Sequence, residues 1–351
     1  MPLSLSKPGT FNYEGILADL APAKEVTIAT FGVDTADEAL ITRLRERPAG
    51  SKLTIISSVP GRFSEYYPGN AGNTARLNAR KRIAKIVRAL APDKFNCRVE
   101  IWFCFENHAK IILCDQRAAY VGSANFTSAS RGNYEGGYLT KDSDEIREIT
   151  AYLDTLRQTS VPYHQIEGSA ELVSLFEFAA AIPDLVEEFE WQVNDWHMSY
   201  GDEFTPSFNF AKFGMPTGVE QAVAKGLASA KRLEDKCRAE EARPEEESFV
   251  EASLFSDFEE LHDLMEQIRD QTVRREQRDS SELLSDFIEQ GPGDPDEIQA
   301  SEEFQEELED EEAEIESQAK KQTSEFVSQM KKIRSAIFGA LVNHPDVDNT
   351  V

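Results

Sequence analysis

Cysteine is scarce in this chain of 351 residues: Cys97, Cys104, Cys114 and Cys237 form no CxxC pair, which leaves neither a disulfide framework nor a zinc-site spacing. They lie mostly in apolar strand-like runs, as reduced, buried thiols do, so the expected compartment is a reducing cytoplasm. Long apolar runs are absent too. No stretch approaches the roughly 18 uninterrupted apolar residues of a membrane span, and MPLSLSKPGTFNY at the start lacks the apolar core of a secretory signal. The expectation is a cytoplasmic protein with no integral membrane association. Basic residues are few: 37 Lys plus Arg face 64 Asp plus Glu, a formal charge of −27 that excludes a freestanding basic nucleic-acid coat. With 40% hydrophobic residues over about two domain lengths, one good core and one lean region are expected.

The charge is unevenly placed. Residues 1–200 carry 26 acids and 21 bases, net −5, and the remainder carries 38 and 16, net −22. Residues 294–316 hold thirteen acids and no base, just after the breaker GPGDP at 291–295. Such a run is either a solvated helix or disordered tether, or a polyanion that lies over a nucleic-acid cleft.

The first 160 residues alternate strand and helix patterns. EVTIATFGV (25–33) and KLTIISSV (52–59) are β-branched runs, and TADEALITRLRE (35–46) between them opens on a Thr cap with helical spacing. This βαβ start predicts an α/β domain with a parallel core. After the loop 60–74, the helix at 75–91 sets Leu77, Ile83, Ile86, Val87 and Leu90 on one stripe, with Arg76, Arg80, Lys81, Arg82, Lys85 and Arg88 elsewhere. That basic set reads equally as a solvated face or a phosphate-facing surface. Strands follow at 97–105, 108–115, 118–123 and 135–140, then a closing helix at 142–158. Beyond residue 160 strands are expected to stop. Residues 169–196 read as helical around a Pro break, and 199–218 as a loop. Stripes at Leu254, Phe258, Leu261, Met265, Ile268 and at Phe326, Met330, Ile333, Ile337, Leu341 suit packing on a core or partner helix. The second, flanked by lysines, also suits docking on the acidic tract, a partner or a membrane surface.

Residues 108–125 read HAKIILCDQRAAYVGSAN: H-x-K, four residues, D, six residues, G-S-x-N. Six fixed positions at these gaps should arise by chance with a probability on the order of one in 10⁵ or less. In an extended strand His108 and Lys110 project from one face, which sets an imidazole beside a cation. Asp115 with Gln116 makes the turn, and the returning strand brings Gly122, Ser123 and Asn125 back toward His108. An imidazole, an ammonium and an amide together suit an anionic tetrahedral centre: Lys110 and Asn125 hold phosphoryl oxygens while His108 attacks phosphorus. Glu135, at the start of the next strand, is placed to accept the Nδ1 hydrogen of His108. Asp115, at the far turn, and Gly122 read as structural. Ser123 either binds near the phosphate or caps the following helix. Arg62, Tyr66 and Tyr67 in the 60–74 loop are candidate substrate contacts, each also readable as an exposed turn residue.

Over roughly residues 20–160 the chain resembles the phospholipase D superfamily, whose HKD motif has this spacing, including G-S-x-N and a downstream Glu, here in N-Y-E at 133–135. The resemblance implies a phospholipase D-like mixed sheet flanked by helices, followed here by a mainly α-helical acidic C-terminal region. It also implies metal-independent chemistry without cofactors, in which one motif histidine forms a phosphohistidine and a second protonates the leaving oxygen. His164, His197, His262 and His344 lack a lysine two residues on, so the chain holds one motif. Single-motif members of the family assemble the site as homodimers, and many are nucleases. A homodimer or higher even oligomer is therefore expected.

The favoured expectation is a nuclease, with DNA preferred over RNA, used in bacterial defence. The alternatives are a lipid phosphodiesterase or transferase, which would call for an apolar mouth that the sequence does not display, and a non-catalytic dimeric scaffold. The expected organisation is a catalytic domain at 1–160, a helical dimerisation or partner region at 161–290, an acidic linker or helix at 291–320 and an amphipathic helix and tail at 321–351. The tail is too acidic to read DNA, so its expected work is regulation: docking a partner such as an ATPase or helicase, and restraining access to the cleft.

Overall fold

A computed structural model describes residues 3–32, 39–59, 72–105, 107–198, 204–239, 241–251, 253–279 and 295–342. The candidate contacts Arg62, Tyr66 and Tyr67 lie outside these described residues, and the side chains of Arg76 and Arg80 are likewise not described.

β-branched runs become the middle of an eight-stranded mixed sheet. Strands β1 (Leu3–Ser6), β2 (Glu25–Thr30), β3 (Lys52–Ser58), β4 (Arg98–Cys104), β5 (Lys110–Cys114), β6 (Ala118–Gly122), β7 (Glu135–Thr140) and β8 (Val161–Pro162) stand in the order β1-β7-β6-β5-β2-β3-β4-β8. The β2, β3 and β4 strands are parallel, as the βαβ pattern predicts, and every other pairing is antiparallel. Two helices follow on one face, α1 (Ala39–Arg45) and α2 (Gly72–Ala89). Ile83, Ile86 and Val87 of α2 are buried, while Lys81, Arg82, Lys85 and Arg88 are exposed. The other face is covered by α3 (Ser143–Gln158), whose Ile146, Ile149 and Leu153 pack on Ile56, Ile111, Leu113 and Ala119. Asp142 caps α3 by accepting from the backbone of Asp144 and Glu145, a contribution of about 1 kcal/mol.

The C-terminal half consists chiefly of α4 (Ala170–Val193), α5 (Thr217–Arg238), α6 (Pro244–Glu251), α7 (Leu254–Asp279) and α8 (Pro295–Val342). Of these, α4, α5, α7 and α8 close a ring, each packing on the next, so they form a four-helix bundle. Phe178 meets Phe258 at 5.2 Å between ring centroids, and Phe189 meets Phe326 at 4.9 Å. The last two helices run antiparallel: Gln271 donates to Gln318 at 3.1 Å and Lys332 to Asp257 at 2.7 Å.

Several sequence expectations change here. Strands do not stop at residue 160: besides β8, a hairpin of β9 (Asn194–Met198) and β10 (Phe204–Phe208) follows α4. Pro183 does not break α4, because buried Phe176, Phe178, Ile182, Leu185 and Phe189 hold both sides of it in the core. The bundle is not lean, since its side chains and one face of the sheet share one continuous apolar core. Phe326, Met330, Ile333 and Ile337 lie in that core rather than awaiting a tract, partner or membrane.

The acidic tract, from Pro295 onward, and the amphipathic stripe form one continuous helix. At a rise of about 1.5 Å per residue, the near end of the tract, Glu316, lies about 33 Å along the helix from Phe338. Phe338 packs on Phe105, three residues before His108. The contact between Phe338 and Phe105 therefore lies about six turns of helix from the near end of the tract.

If the last stripe is core, Met330→Ala should cost about 2–5 kcal/mol in urea unfolding. A loss below about 0.5 kcal/mol would mark it as a surface residue instead.

Candidate active site

Sheet polarity gathers the motif. The carboxyl ends of parallel β2, β3 and β4 point the same way as the start of β5, the end of β6 and the start of β7. A site at the carboxyl ends of parallel strands is the usual place for ligands in open α/β sheets.

His108 precedes β5 rather than lying in it, because the strand begins at Lys110. What fixes the approach is Asn107, which the sequence reading passed over. Its buried amide donates to the carbonyls of Thr30 at 3.2 Å and Ile56 at 3.3 Å, tying the ends of β2 and β3. Its Oδ1 accepts from the Ala109 backbone at 2.8 Å, so the residues on either side of His108 are held. A single short polar residue beside H-x-K, after an apolar run, was the available signal.

His108 is exposed, with its ring 4.9 Å from that of Phe31. The Lys110 Nζ lies 3.1 Å from Nδ1 and 3.3 Å from Nε2 of this imidazole, and donates to the His108 carbonyl at 2.6 Å. An ammonium only donates, so a ring nitrogen bonded to it is the unprotonated one. Lys110 is 5% exposed. Burial pulls its ammonium down to about 8, against the opposing influence of the Glu135 carboxylate.

On the neighbouring strands the Ser123 hydroxyl donates to Glu135 Oε2 and accepts from the Gly136 backbone at 3.0 Å. The described contact of Glu135 is with Ser123, and the ammonium of Lys110 stands nearly equidistant from the two ring nitrogens of His108. Asn125 is half-buried, and its Oδ1 has no hydrogen-bond partner among the described residues. The structure therefore joins His108 with Lys110 and Ser123 with Glu135, and leaves a buried acceptor at Asn125.

Gly122 is explained by Tyr120. The fully buried Tyr120 side chain runs beneath Gly122 and Gly137, and a Cβ at Gly122 would collide with its hydroxyl. That hydroxyl donates to Asn12 Oδ1 at 2.5 Å.

Asp115 stands at the other end of β5, about 17 Å away at 3.3 Å per residue. Asp115 and Gln116 both have positive φ, and Arg117 donates to the Cys114 carbonyl, as a tight hairpin turn requires. The carboxylate accepts from the backbones of Lys24 and Glu25, each at 2.8 Å, and pairs with Arg117 at 2.6 Å. Burial opposes its charge, but these donors outweigh burial and hold Asp115 below the usual carboxylate range.

A groove of about 560 Å³ opens beside His108, Lys110 and Ser123. Its wall includes Val121, Tyr138 and Tyr152, so an apolar surface that the sequence did not display adjoins the polar cluster. On the same face of the sheet, by register, lie Leu3 and Leu5, which are 71% and 70% exposed. Among the described residues no group of three or more His, Cys, Asp or Glu is arranged to hold a metal ion, and no helix is long and apolar enough to cross a membrane.

The family model described as cardiolipin synthase, PLD-like domain, matches residues 21–157. A search of curated protein sequences finds no match. Among solved structures, the chain is similar to Nuc, a phospholipase D family member from Salmonella typhimurium, at 16% identity and TM-score 0.31, over 46% of this chain and 96% of that one. NucT from Helicobacter pylori gives 20% identity and TM-score 0.28, over 45% and 97%. A phosphatidylserine synthase from Haemophilus influenzae gives 17% and 0.34, over 53% and 44%.

The depressed Lys110 pKa sets a pH dependence. The ammonium is present below about 8 and lost above it, so affinity for a non-titrating phosphodiester analogue should fall as pH rises from 7 to 9. Titration calorimetry should show that fall, and Lys110→Arg, which stays charged, should abolish it. Equal affinity of the unmodified protein at both pH values would contradict this role.

Proposed function

We propose that this chain, whose residues 21–157 match a phospholipase D-like domain and place it in the phospholipase D superfamily, is a phosphodiesterase working through His108, a nuclease that favours DNA. The observation that carries the proposal is the pairing of His108 with the buried ammonium of Lys110 at one end of the sheet. Lys110 binds a non-bridging phosphoryl oxygen, and the side-chain amide of Asn125 binds another. A ring nitrogen of His108 attacks phosphorus, the N–P bond forms and the P–O bond to the leaving group breaks. Water then attacks the phosphohistidine, which breaks the N–P bond and restores the imidazole. Ser123 and Glu135 brace each other across the strand ends.

The leaving oxygen needs a proton, and the water must lose one. With one motif per chain, the proposed acid and base is the His108 of a second copy in a C2 homodimer. The exposed Leu3 and Leu5, on the face shared with the groove, support such an association. If they lie in that interface, Leu5→Asp should convert the dimer to monomer in analytical ultracentrifugation and lower activity with it. An unchanged sedimentation coefficient would remove this face from the interface.

The nuclease reading is also supported by the exposed Lys81, Arg82, Lys85 and Arg88 of α2, a cationic face of the kind phosphate backbones need. The apolar groove wall of Val121, Tyr138 and Tyr152 favours a second reading, a lipid phosphodiester substrate. Incubation with single-stranded and duplex DNA, RNA and phospholipid vesicles, each with EDTA, separates these readings. The expected result is chelator-resistant cleavage of nucleic acid, reduced at least about 10³-fold in His108→Ala. Release of a phospholipid headgroup alone would establish the second reading. Cleavage of none of the four, or strict dependence on Mg²⁺, would overturn the proposed chemistry.

A further inference from the structure

The chain entering the motif is gripped from the helical bundle as well as from the sheet. Phe105 is the first residue beyond β4 and stands three residues before His108. Its ring lies 4.0 Å from that of Phe338 on α8 and 5.5 Å from that of Phe176 on α4. Arg334, one helical turn before Phe338, places its guanidinium 5.8 Å from the Phe105 ring centroid and 5.0 Å from that of Phe338. On the other side of the short connection, Asn107 is bonded to the carbonyls of Thr30 and Ile56.

We infer that Phe338 and Arg334 of the C-terminal helix are positioning residues for His108, acting through Phe105. The sheet fixes Asn107, but a hydrogen-bonded amide at a strand end holds direction only if the chain feeding into it is also held. The aromatic contact supplies that second point. Offset rings and an overlying guanidinium prefer particular geometries, so this contact sets where Phe105 sits, rather than merely covering it. Phe105 and Asn107, one residue apart and each held, fix the direction in which the chain enters His108, and a nucleophile needs that restriction, because a displacement of about 1 Å can cost about 10²-fold in rate. The same helix extends back to Pro295, so its seating in the bundle is coupled to the geometry at His108.

The catalytic consequence rests on the phosphodiesterase reading, whereas the structural consequence does not, and the experiment reads them separately. Hydrogen exchange at the amides of Asn107, His108 and Ala109 is measured in the full chain, together with kcat and KM on whichever phosphodiester is cleaved. Phe338→Ala should speed exchange at these amides about tenfold or more and lower kcat by about 10- to 100-fold, with KM within about twofold. Arg334→Gln removes the cation but keeps the ring contact, and should shift both readouts in the same direction by a smaller factor. Phe338→Tyr retains the ring and should leave both near the unmodified values. Val327→Ala, on α8 but three turns from Phe338, controls for general loosening of the bundle and should also leave both unchanged.

Unchanged exchange in both Phe338→Ala and Arg334→Gln would overturn the inference, as would an equal rise in Val327→Ala. If the unmodified protein cleaves no phosphodiester, the functional reading fails while the exchange data still decide whether α8 positions this segment.

Discussion

An ammonium withdrawn from water at the end of a sheet is expensive unless the surrounding groups favour its charge, and Lys110 is in that position. Its Nζ is held by the His108 carbonyl, lies 5.5 Å from the centroid of the Phe31 ring and feels the carboxylate of Glu135. These partners only partly offset desolvation, which is why its pKa stays depressed. A buried cation of this kind suits an anionic ligand, and the proposed phosphodiester substrate is one. Close to the ammonium stand the His108 imidazole and the Glu135 carboxylate, which accepts from Ser123.

Holding these groups together takes the whole sheet. The motif is compact in sequence, yet Lys110 and Glu135 stand on strands separated by β6, and His108 is anchored through Asn107 to β2 and β3. At the opposite end, Asp115 binds the hairpin to the start of β2 and thereby keeps β5 in register with its neighbour. The helical half adds a further constraint, since its core is continuous with one face of the sheet and it reaches the approach to His108 through Phe105.

Much of this was legible in the sequence wherever the signal was local. The β-branched runs gave β2 and β3, the motif spacing gave the β5–β6 hairpin, and the order of strands and helices gave the α/β class. What stayed hidden depends on partners distant in the chain. The bond from Ser123 to Glu135 depends on the register that sets Gly122 opposite Gly137, and the need for glycine at both positions depends on the Tyr120 ring beneath them. Asn107 was inconspicuous because its meaning lies in the carbonyls it reaches. The hairpin after residue 193 was missed because NDWHM and FTPSF have weak strand preferences, which tertiary packing overrides. A stripe such as Phe326, Met330, Ile333 and Ile337 shows that a helix has an apolar face but not what covers it, and here the covering helices lie earlier in the chain.

If His108 is the nucleophile, it becomes covalently bonded to phosphorus during turnover. The direct measurement is rapid quenching of a turnover with a phosphodiester labelled on the phosphoryl-bearing fragment, followed by denaturing separation and peptide mapping. The expected result is a protein-bound label that is labile to acid and stable to base, maps to His108 and is absent in His108→Ala. Turnover without any such adduct, or an adduct mapped to another residue, would contradict it.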